Sequence, residues 1–120
     1  MFEIYFLNEA FDKTKGAENH YAVVVDNSEL IVLTFNLLTS KYQEKSEKIK
    51  LQYYPIQDWK KAGLKRRTYV DILALVQYDI AQLKKHGRHI GKLTIADIQG
   101  LVEFRKTYKK RLTKYIIENP

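Results

Sequence analysis

The sequence contains no cysteine, which excludes a disulfide framework and any metal site built from thiolates. Such a protein needs no oxidising compartment, so we expect it in the cytoplasm. The N-terminus carries an acid at Glu3 and no basic region, which is unlike a signal peptide. No apolar run approaches the roughly 20 residues that a membrane-spanning helix needs, so we expect no membrane partner.

Several motifs that mark catalytic or cofactor sites are also missing. The five glycines are scattered and fit neither a phosphate-binding loop nor a dinucleotide-binding pattern. No Gly-x-Ser-x-Gly motif occurs. His86 and His89 lie close together without a supporting carboxylate pattern, which indicates exposed loop histidines rather than a zinc site. We therefore expect neither a metal nor a cofactor.

The composition is that of an ordinary globular domain with a surplus of positive charge. The 120 residues are 45% hydrophobic and 29% charged, which suits a single domain over 1–120. Lysine and arginine number 21 against 14 acids, a net charge of +7. That charge favours an anionic partner, whether nucleic acid, an acidic protein or a membrane surface. Solubility alone is the alternative explanation.

Apolar and β-branched runs predict an α+β fold. The predicted strands cover residues 3–7, 21–25, 29–34, 49–54, 68–75 and 89–93. Short helices are expected over 56–62 and 78–85. Thr94 followed by Asp97 resembles a capping box, and apolar residues at helical spacing then predict one long helix reaching Ile116. We expect this helix to pack on a bent antiparallel sheet.

Polar residues at strand ends are the first candidates for chemistry. If strands 21–25 and 29–34 form a hairpin, His20 lies near Thr39, Ser40 and Lys41. A histidine that titrates near neutral pH, two hydroxyls and a cation suit phosphodiester cleavage. A turn histidine beside ordinary strand-end hydroxyls is the competing interpretation.

The densest basic cluster lies in the middle of the chain, where aromatic residues are interleaved with it. Its cations can neutralise phosphates, and its rings can stack on unpaired bases. Burial of Trp59 in the core and a solvated basic loop are the alternative. The residues concerned are Lys60, Lys61, Lys65, Arg66 and Arg67, with Tyr53, Tyr54, Trp59 and Tyr69.

The order of these segments resembles the MazF/PemK/Kid family of bacterial toxin ribonucleases. The similarity extends over nearly the whole chain, as an ordered series of individually weak motifs. The matching stretches are 15–25, Leu38-Thr39-Ser40, Asp58-Trp59-Lys60-Lys61-Ala62-Gly63-Leu64 with strand 68–75, and Ile90-Gly91-Lys92-Leu93-Thr94. The chain departs from the family pattern where the catalytic arginine falls on His20 and the following proline on Tyr21.

The resemblance implies a small, strongly bent antiparallel β-barrel of the Src-homology-3-like kind with a long C-terminal helix, working as a homodimer. It implies metal-independent cleavage of single-stranded mRNA and neutralisation by an acidic antitoxin. The implied catalytic residues are His20, Thr39, Ser40 and Asp71. The implied RNA contacts are Lys15, Asn19, Lys41, Lys65, Arg66 and Arg67. Two alternatives remain, a member that binds RNA or protein without catalysis and a toxin that poisons DNA gyrase.

Overall fold

The computed structural model describes residues 1–8 and 19–120, and in them six strands form one antiparallel sheet. The strand order is β4-β5-β3-β2-β1-β6. The strands are β1 (Glu3–Leu7), β2 (His20–Asn27), β3 (Ile31–Leu38), β4 (Tyr53–Pro55), β5 (Tyr69–Asp79) and β6 (Arg88–Lys92). The helices are α1 (Glu47–Lys50), α2 (Ile80–His86), α3 (Ile95–Lys106) and α4 (Tyr108–Glu118). The predicted α+β class is confirmed.

Both faces of the sheet are covered, each by its own apolar cluster. Successive side chains of a strand point to opposite faces. Val23 of β2 therefore joins the larger cluster, which contains Leu101 of α3. Ala22 and Val24 join the smaller cluster, which contains Leu83 of α2. We call the two sides the α3 face and the α2 face. This double burial explains why the β2 sequence lacks polar alternation.

The segment before β4 was predicted as a strand over 49–54, and this was wrong in its first half. Ser46 accepts a hydrogen bond from the backbone nitrogen of Ile49 (3.2 Å) and caps the short helix α1. A side-chain oxygen at the N-cap of a helix accepts a hydrogen bond from a backbone N–H. In a strand, the same N–H would donate to the neighbouring strand. Only Tyr53–Pro55 remains as β4, which pairs with Tyr69–Asp71 of β5.

The C-terminal helix was predicted as one element, and the structure divides it at Thr107. The Thr107 hydroxyl donates to the carbonyls of Glu103 (3.1 Å) and Phe104 (3.3 Å) at the end of α3. Arg111 donates to the Phe104 carbonyl as well (2.8 Å). The Glu103 carbonyl also accepts from the backbone nitrogen of Thr107 (3.1 Å), so side chains take the place of a helical donor at the Phe104 carbonyl. α4 then begins at Tyr108 and buries none of its residues fully.

The two outer strands of the sheet are β4 and β6, and in the described residues they do not pair with each other. The chain that follows β4 nevertheless lies against β6. A side-chain carbon at Gly91 of β6 would overlap the carbonyl of Ala62, and Gly63 adopts a left-handed φ of 92° beside Ile90. Only glycine takes that φ without strain. The sheet is therefore bent enough to bring its edges to the same segment.

Across residues 1–8 and 19–120, no helix combines the length and the apolar character needed to cross a membrane.

Candidate functional site

A cleft with a volume of about 200 Å³ lies at one end of the α3 face. Within residues 1–8 and 19–120, its lining comes from three separate parts of the chain: Tyr21, Thr39, Leu64, Lys65, Arg66 and Thr68. Tyr21 pairs with Leu37 across β2 and β3. Thr39 directly follows the last residue of β3, and it lines the same cleft as Tyr21. We call this the threonine cleft.

The basic loop between β4 and β5 forms the rim of the threonine cleft. Leu64 is buried in the α3-face cluster and anchors the start of the loop. Thr68 is 1% exposed, and its hydroxyl donates to the Arg66 carbonyl (2.9 Å) at the other end. Lys65 and Arg66 lie between these anchors and are exposed. The loop thus places Lys65 and Arg66 in the lining of the cleft that Thr39 also lines.

His20 does not share this cleft. It pairs with Leu7 across β1 and β2, and Leu7 belongs to the α2-face cluster. Residues paired across an antiparallel ladder point to the same side of the sheet. The half-buried His20 side chain therefore lies on the α2 face, opposite Thr39. The structure does not bring together the predicted proton carrier and the predicted phosphate contact.

Asp71 also lies outside the threonine cleft, and its contacts are structural. Its Oδ1 accepts from the Gln52 side chain (3.0 Å) and from the backbone nitrogen of Leu73 (3.0 Å). Because Asp71 follows Val70, a residue of the α3-face cluster, alternation directs it to the other side. Burial and the nearby Asp71 carboxylate raise the pKa of Tyr53. The Asp71 carboxylate thus accepts from the backbone nitrogen of Leu73, just beyond the residues of β5 that pair with β4.

Ser40, Lys41 and Asn19 do not line the threonine cleft. Ser40 and Lys41 are exposed just beyond β3, and Lys41 adopts a left-handed φ of 63°. Asn19 is exposed at the start of β2. Lys15 lies outside the described residues. Of the predicted site, the structure therefore gathers Thr39, Lys65 and Arg66.

A second cleft of about 220 Å³ adjoins the first on the other side of the basic loop. Thr68 lines both clefts, which makes them neighbours. We call this one the tryptophan cleft, and it holds the predicted contact Arg67. Its lining residues are Pro55, Ile56, Gln57, Trp59, Arg67, Thr68 and Tyr69.

The aromatic residues near the basic cluster divide into core and surface. Tyr53 and Tyr54 are 8% and 7% exposed, so neither presents a ring face to a ligand. Tyr69 is half-buried and stacks on Tyr42, with ring centroids 3.8 Å apart and planes 4° apart. Sequence reasoning missed Tyr42 because a lone tyrosine in a polar stretch carries no periodic signal, and its partner lies far along the chain.

A buried carboxylate holds the segment that carries the tryptophan cleft. Asp97 of α3 is 0% exposed and accepts from the backbone nitrogens of Gln57 (2.9 Å) and Asp58 (2.9 Å). It also accepts from the hydroxyl of Tyr54 (2.7 Å). Burial and this hydrogen bond raise the pKa of Tyr54. These donors satisfy a charge that would be costly to bury alone.

The charge around the two clefts is positive and uncompensated. Within residues 1–8 and 19–120, the five loop cations make no ion pair, because the ion pairs present involve other residues. Lys60 lies over the Trp59 ring at 5.3 Å from its centroid. In the same described ranges, no group of three or more histidine, aspartate or glutamate side chains could hold a metal ion. The arrangement can bind an anion through cations and hydroxyls.

No protein-family model matches the chain, and none of the curated proteins matches its sequence.

Proposed function

We propose that the chain is a toxin of the MazF/PemK kind, an endoribonuclease that binds and cleaves single-stranded RNA at the threonine cleft without a metal. One observation carries this proposal: Thr39, Lys65 and Arg66 line one small cleft, and the two cations have no acidic partner among the described residues. Exposed cations bind phosphates, and hydroxyls donate to phosphate oxygens. Such a site suits a phosphodiester better than an uncharged substrate.

The reaction uses the RNA as its own nucleophile. The 2′-oxygen attacks the adjacent phosphorus and loses its proton to water, while the bond from phosphorus to the 5′-oxygen breaks and that oxygen gains a proton. The products are a 2′,3′-cyclic phosphate and a 5′-hydroxyl. Lys65 and Arg66 stabilise the negative charge that develops on the phosphoryl oxygens, and Thr39 donates a hydrogen bond to one of them. His20 lies on the opposite sheet face and has no step in this sequence.

The proposal extends to the finer fold and to partners. Ala62 and Gly63 lie against β6, which supports a sheet curled towards a Src-homology-3-like barrel. The net charge of +7 supports an acidic antitoxin that covers the clefts, since opposite charges steer such partners together. We further propose a homodimer that acts in the cytoplasm, where mRNA is translated.

The test is cleavage of a labelled single-stranded RNA by the purified protein with EDTA present. We expect cleavage by the parent, and a loss of about 100-fold or more in Arg66→Ala, because one donor at a developing oxyanion is worth about that much. The control Lys84→Ala removes a similar charge from α2 and should cleave like the parent. RNA that stays intact with the parent, or equal rates for Arg66→Ala and the parent, would contradict the proposal.

RNA binding without cleavage is the second candidate function, and the placement of His20 favours it. Among the residues that the structure describes, no histidine lines the threonine cleft, so a general base of the usual kind is missing from that lining. His20→Ala should leave the cleavage rate of an active protein within about twofold of the parent rate, because the His20 ring lies on the α2 face, away from the threonine cleft. Binding of the same RNA without products would select the second function.

A further inference from the structure

We propose that the tryptophan cleft is a base-binding subsite, which holds an unpaired nucleobase of the RNA strand whose phosphate lies in the threonine cleft. This inference rests on the proposed function, because it takes the same single strand as the ligand. It adds a recognition site that the charge pattern alone does not assign. The cleft is mainly polar, with flat aromatic groups in its walls, and the charge of Arg67 lies at the same site.

The lining of the cleft fits the chemistry of a base. Trp59 packs against the α3-face cluster and Tyr69 stacks on Tyr42, and both half-buried residues line the cleft. Aromatic rings stack on any base because every base has a π-face. Gln57 donates from its side-chain nitrogen to the Pro55 carbonyl (3.0 Å), which orients the amide. The other end of that amide is an acceptor for a base N–H.

The walls of the cleft are held in place before any ligand arrives. On one side, Asp97 accepts from the backbone nitrogens of Gln57 and Asp58, which flank the turn that leads to Trp59. On the other side, Tyr69 is supported by its stacked partner Tyr42. A site whose groups are already ordered loses little conformational entropy on binding. The cleft is therefore a preformed site rather than a gap between mobile side chains.

The two clefts are connected in the way that a nucleotide requires. Arg66 lines the threonine cleft, Arg67 lines the tryptophan cleft, and Thr68 lines both. Consecutive Cα atoms are about 3.8 Å apart, so the two cations belong to one short stretch of rim. A phosphate and the base of a neighbouring nucleotide are joined through a sugar. One strand can therefore place its phosphate in the first cleft and its base in the second.

Trp59 is the only tryptophan in the chain, so its fluorescence reports on this cleft alone. The experiment titrates the protein with a short 2′-O-methyl oligonucleotide, which keeps bases and phosphates but lacks the attacking hydroxyl. We expect the emission of Trp59 to be quenched as a base stacks on it. A matched strand with abasic positions carries the same phosphates. It should bind about 5- to 150-fold more weakly for each stacked base lost, with little quenching.

Two variants separate the base subsite from general charge. Arg67→Ala should weaken binding of the oligonucleotide, measured by anisotropy of a labelled strand, while Lys84→Ala should bind like the parent. Trp59→Phe keeps a smaller ring, and it should reduce the preference for the base-bearing strand over the abasic strand. Circular dichroism shows whether each variant is folded.

The outcomes distinguish this inference from the proposed function. If the oligonucleotide binds without changing Trp59 emission, and the abasic strand binds equally well, the base subsite is wrong, and cleavage of a cleavable strand then tests the ribonuclease proposal separately. If Trp59 is quenched and the abasic strand binds weakly while no RNA is cleaved, the base subsite stands and the ribonuclease proposal falls.

Discussion

Asp97 connects the candidate site to the rest of the molecule through a single carboxylate. It belongs to the first turn of α3, where its backbone nitrogen donates the expected capping hydrogen bond to the Thr94 hydroxyl oxygen (3.3 Å). Its side chain bonds the backbone at Gln57 and Asp58 and the hydroxyl of Tyr54. The cap could be predicted because it spans three residues. The other bonds could not, since no local pattern pairs α3 with the end of β4.

The bond from Tyr54 to Asp97 gives a prediction about stability. Tyr54→Phe removes a donor to a buried charge and should lower the free energy of unfolding by about 1.5–3 kcal/mol. Urea unfolding measures the change. The control Tyr115→Phe alters a half-buried tyrosine on α4 and should change stability by less than about 0.5 kcal/mol. Equal losses in the two variants would mean that the bond to Asp97 contributes nothing specific.

The same tyrosine adds a pH dependence in the alkaline range. Burial, then the bond to Asp97, raises the pKa of Tyr54 in the folded state above its ordinary value of 10.0. Below about pH 10, Tyr54 keeps its proton in both the folded and the unfolded protein. Above it the unfolded chain loses the proton first, so the free energy of unfolding should fall from about pH 10 upwards. Tyr54→Phe should fall less steeply in the same urea series, and a parallel decline would contradict this assignment.

His20 and Thr39 show how strand register limits prediction from sequence. Their sequence neighbourhood correctly indicated two adjacent strands, and β2 does pair with β3. The face that each side chain takes depends on the register of the pairing, and a shift of one residue reverses it. Tyr21 rather than His20 therefore shares the threonine cleft with Thr39. Hydrophobic pattern alone could not choose between these neighbours, because β2 is apolar on both faces.

At the scale of elements, the junction between α3 and α4 depends on Arg111. Its guanidinium donates to the carbonyls of Leu51 (2.6 Å) and Phe104 (2.8 Å) and lies over the Phe104 ring at 3.7 Å. Burial lowers the pKa of Arg111. This junction could not be predicted from the sequence, because the helical spacing of apolar residues continues from 95 to 116. That spacing does not show that a backbone carbonyl accepts from a side chain instead of from the helix.

Replacement of Arg111 tests whether the junction needs a planar group. Arg111→Lys keeps the charge but cannot span two carbonyls and a ring face at once. We expect both Arg111→Lys and Arg111→Met to lose about 1–3 kcal/mol of stability in urea unfolding. Lys110→Ala, an exposed neighbour, is the control and should behave like the parent. Full stability of Arg111→Lys would show that charge alone holds α4.

At the scale of the whole molecule, the fold class could be predicted from the sequence, whereas the order of the strands in the sheet could not. β-branched runs and a turn near Asn27 predicted the hairpin of β2 and β3, which the structure confirms. The pairing of β1 with β6 joins the first and the last strand of the described residues. The pairing of β3 with β5 contains a register shift between Phe35 and Leu37. Neither strand pairing could be predicted from a local sequence pattern, because the paired strands are far apart in the sequence.

The overall charge gives a prediction for RNA binding as a function of salt. Each phosphate neutralised on a single strand contributes about −0.7 to the slope of log affinity against log salt. Arg66→Ala should therefore make that slope shallower by about 0.7, if Arg66 contacts one phosphate. Anisotropy of a labelled 2′-O-methyl strand over a sodium chloride series measures it. Lys84→Ala should keep the parent slope, and an unchanged slope in Arg66→Ala would remove Arg66 from the interface.

The short β4 leaves much of β5 without a neighbour on one side. β4 covers only Tyr69–Asp71, and in the described part of the chain no strand pairs with 73–79 along that edge. Leu73 and Leu75 are each 53% exposed there. Bare apolar edges attract further copies of a protein, while a net charge of +7 keeps the copies apart until ions screen it. Rising ionic strength should thus release RNA and promote self-association at once.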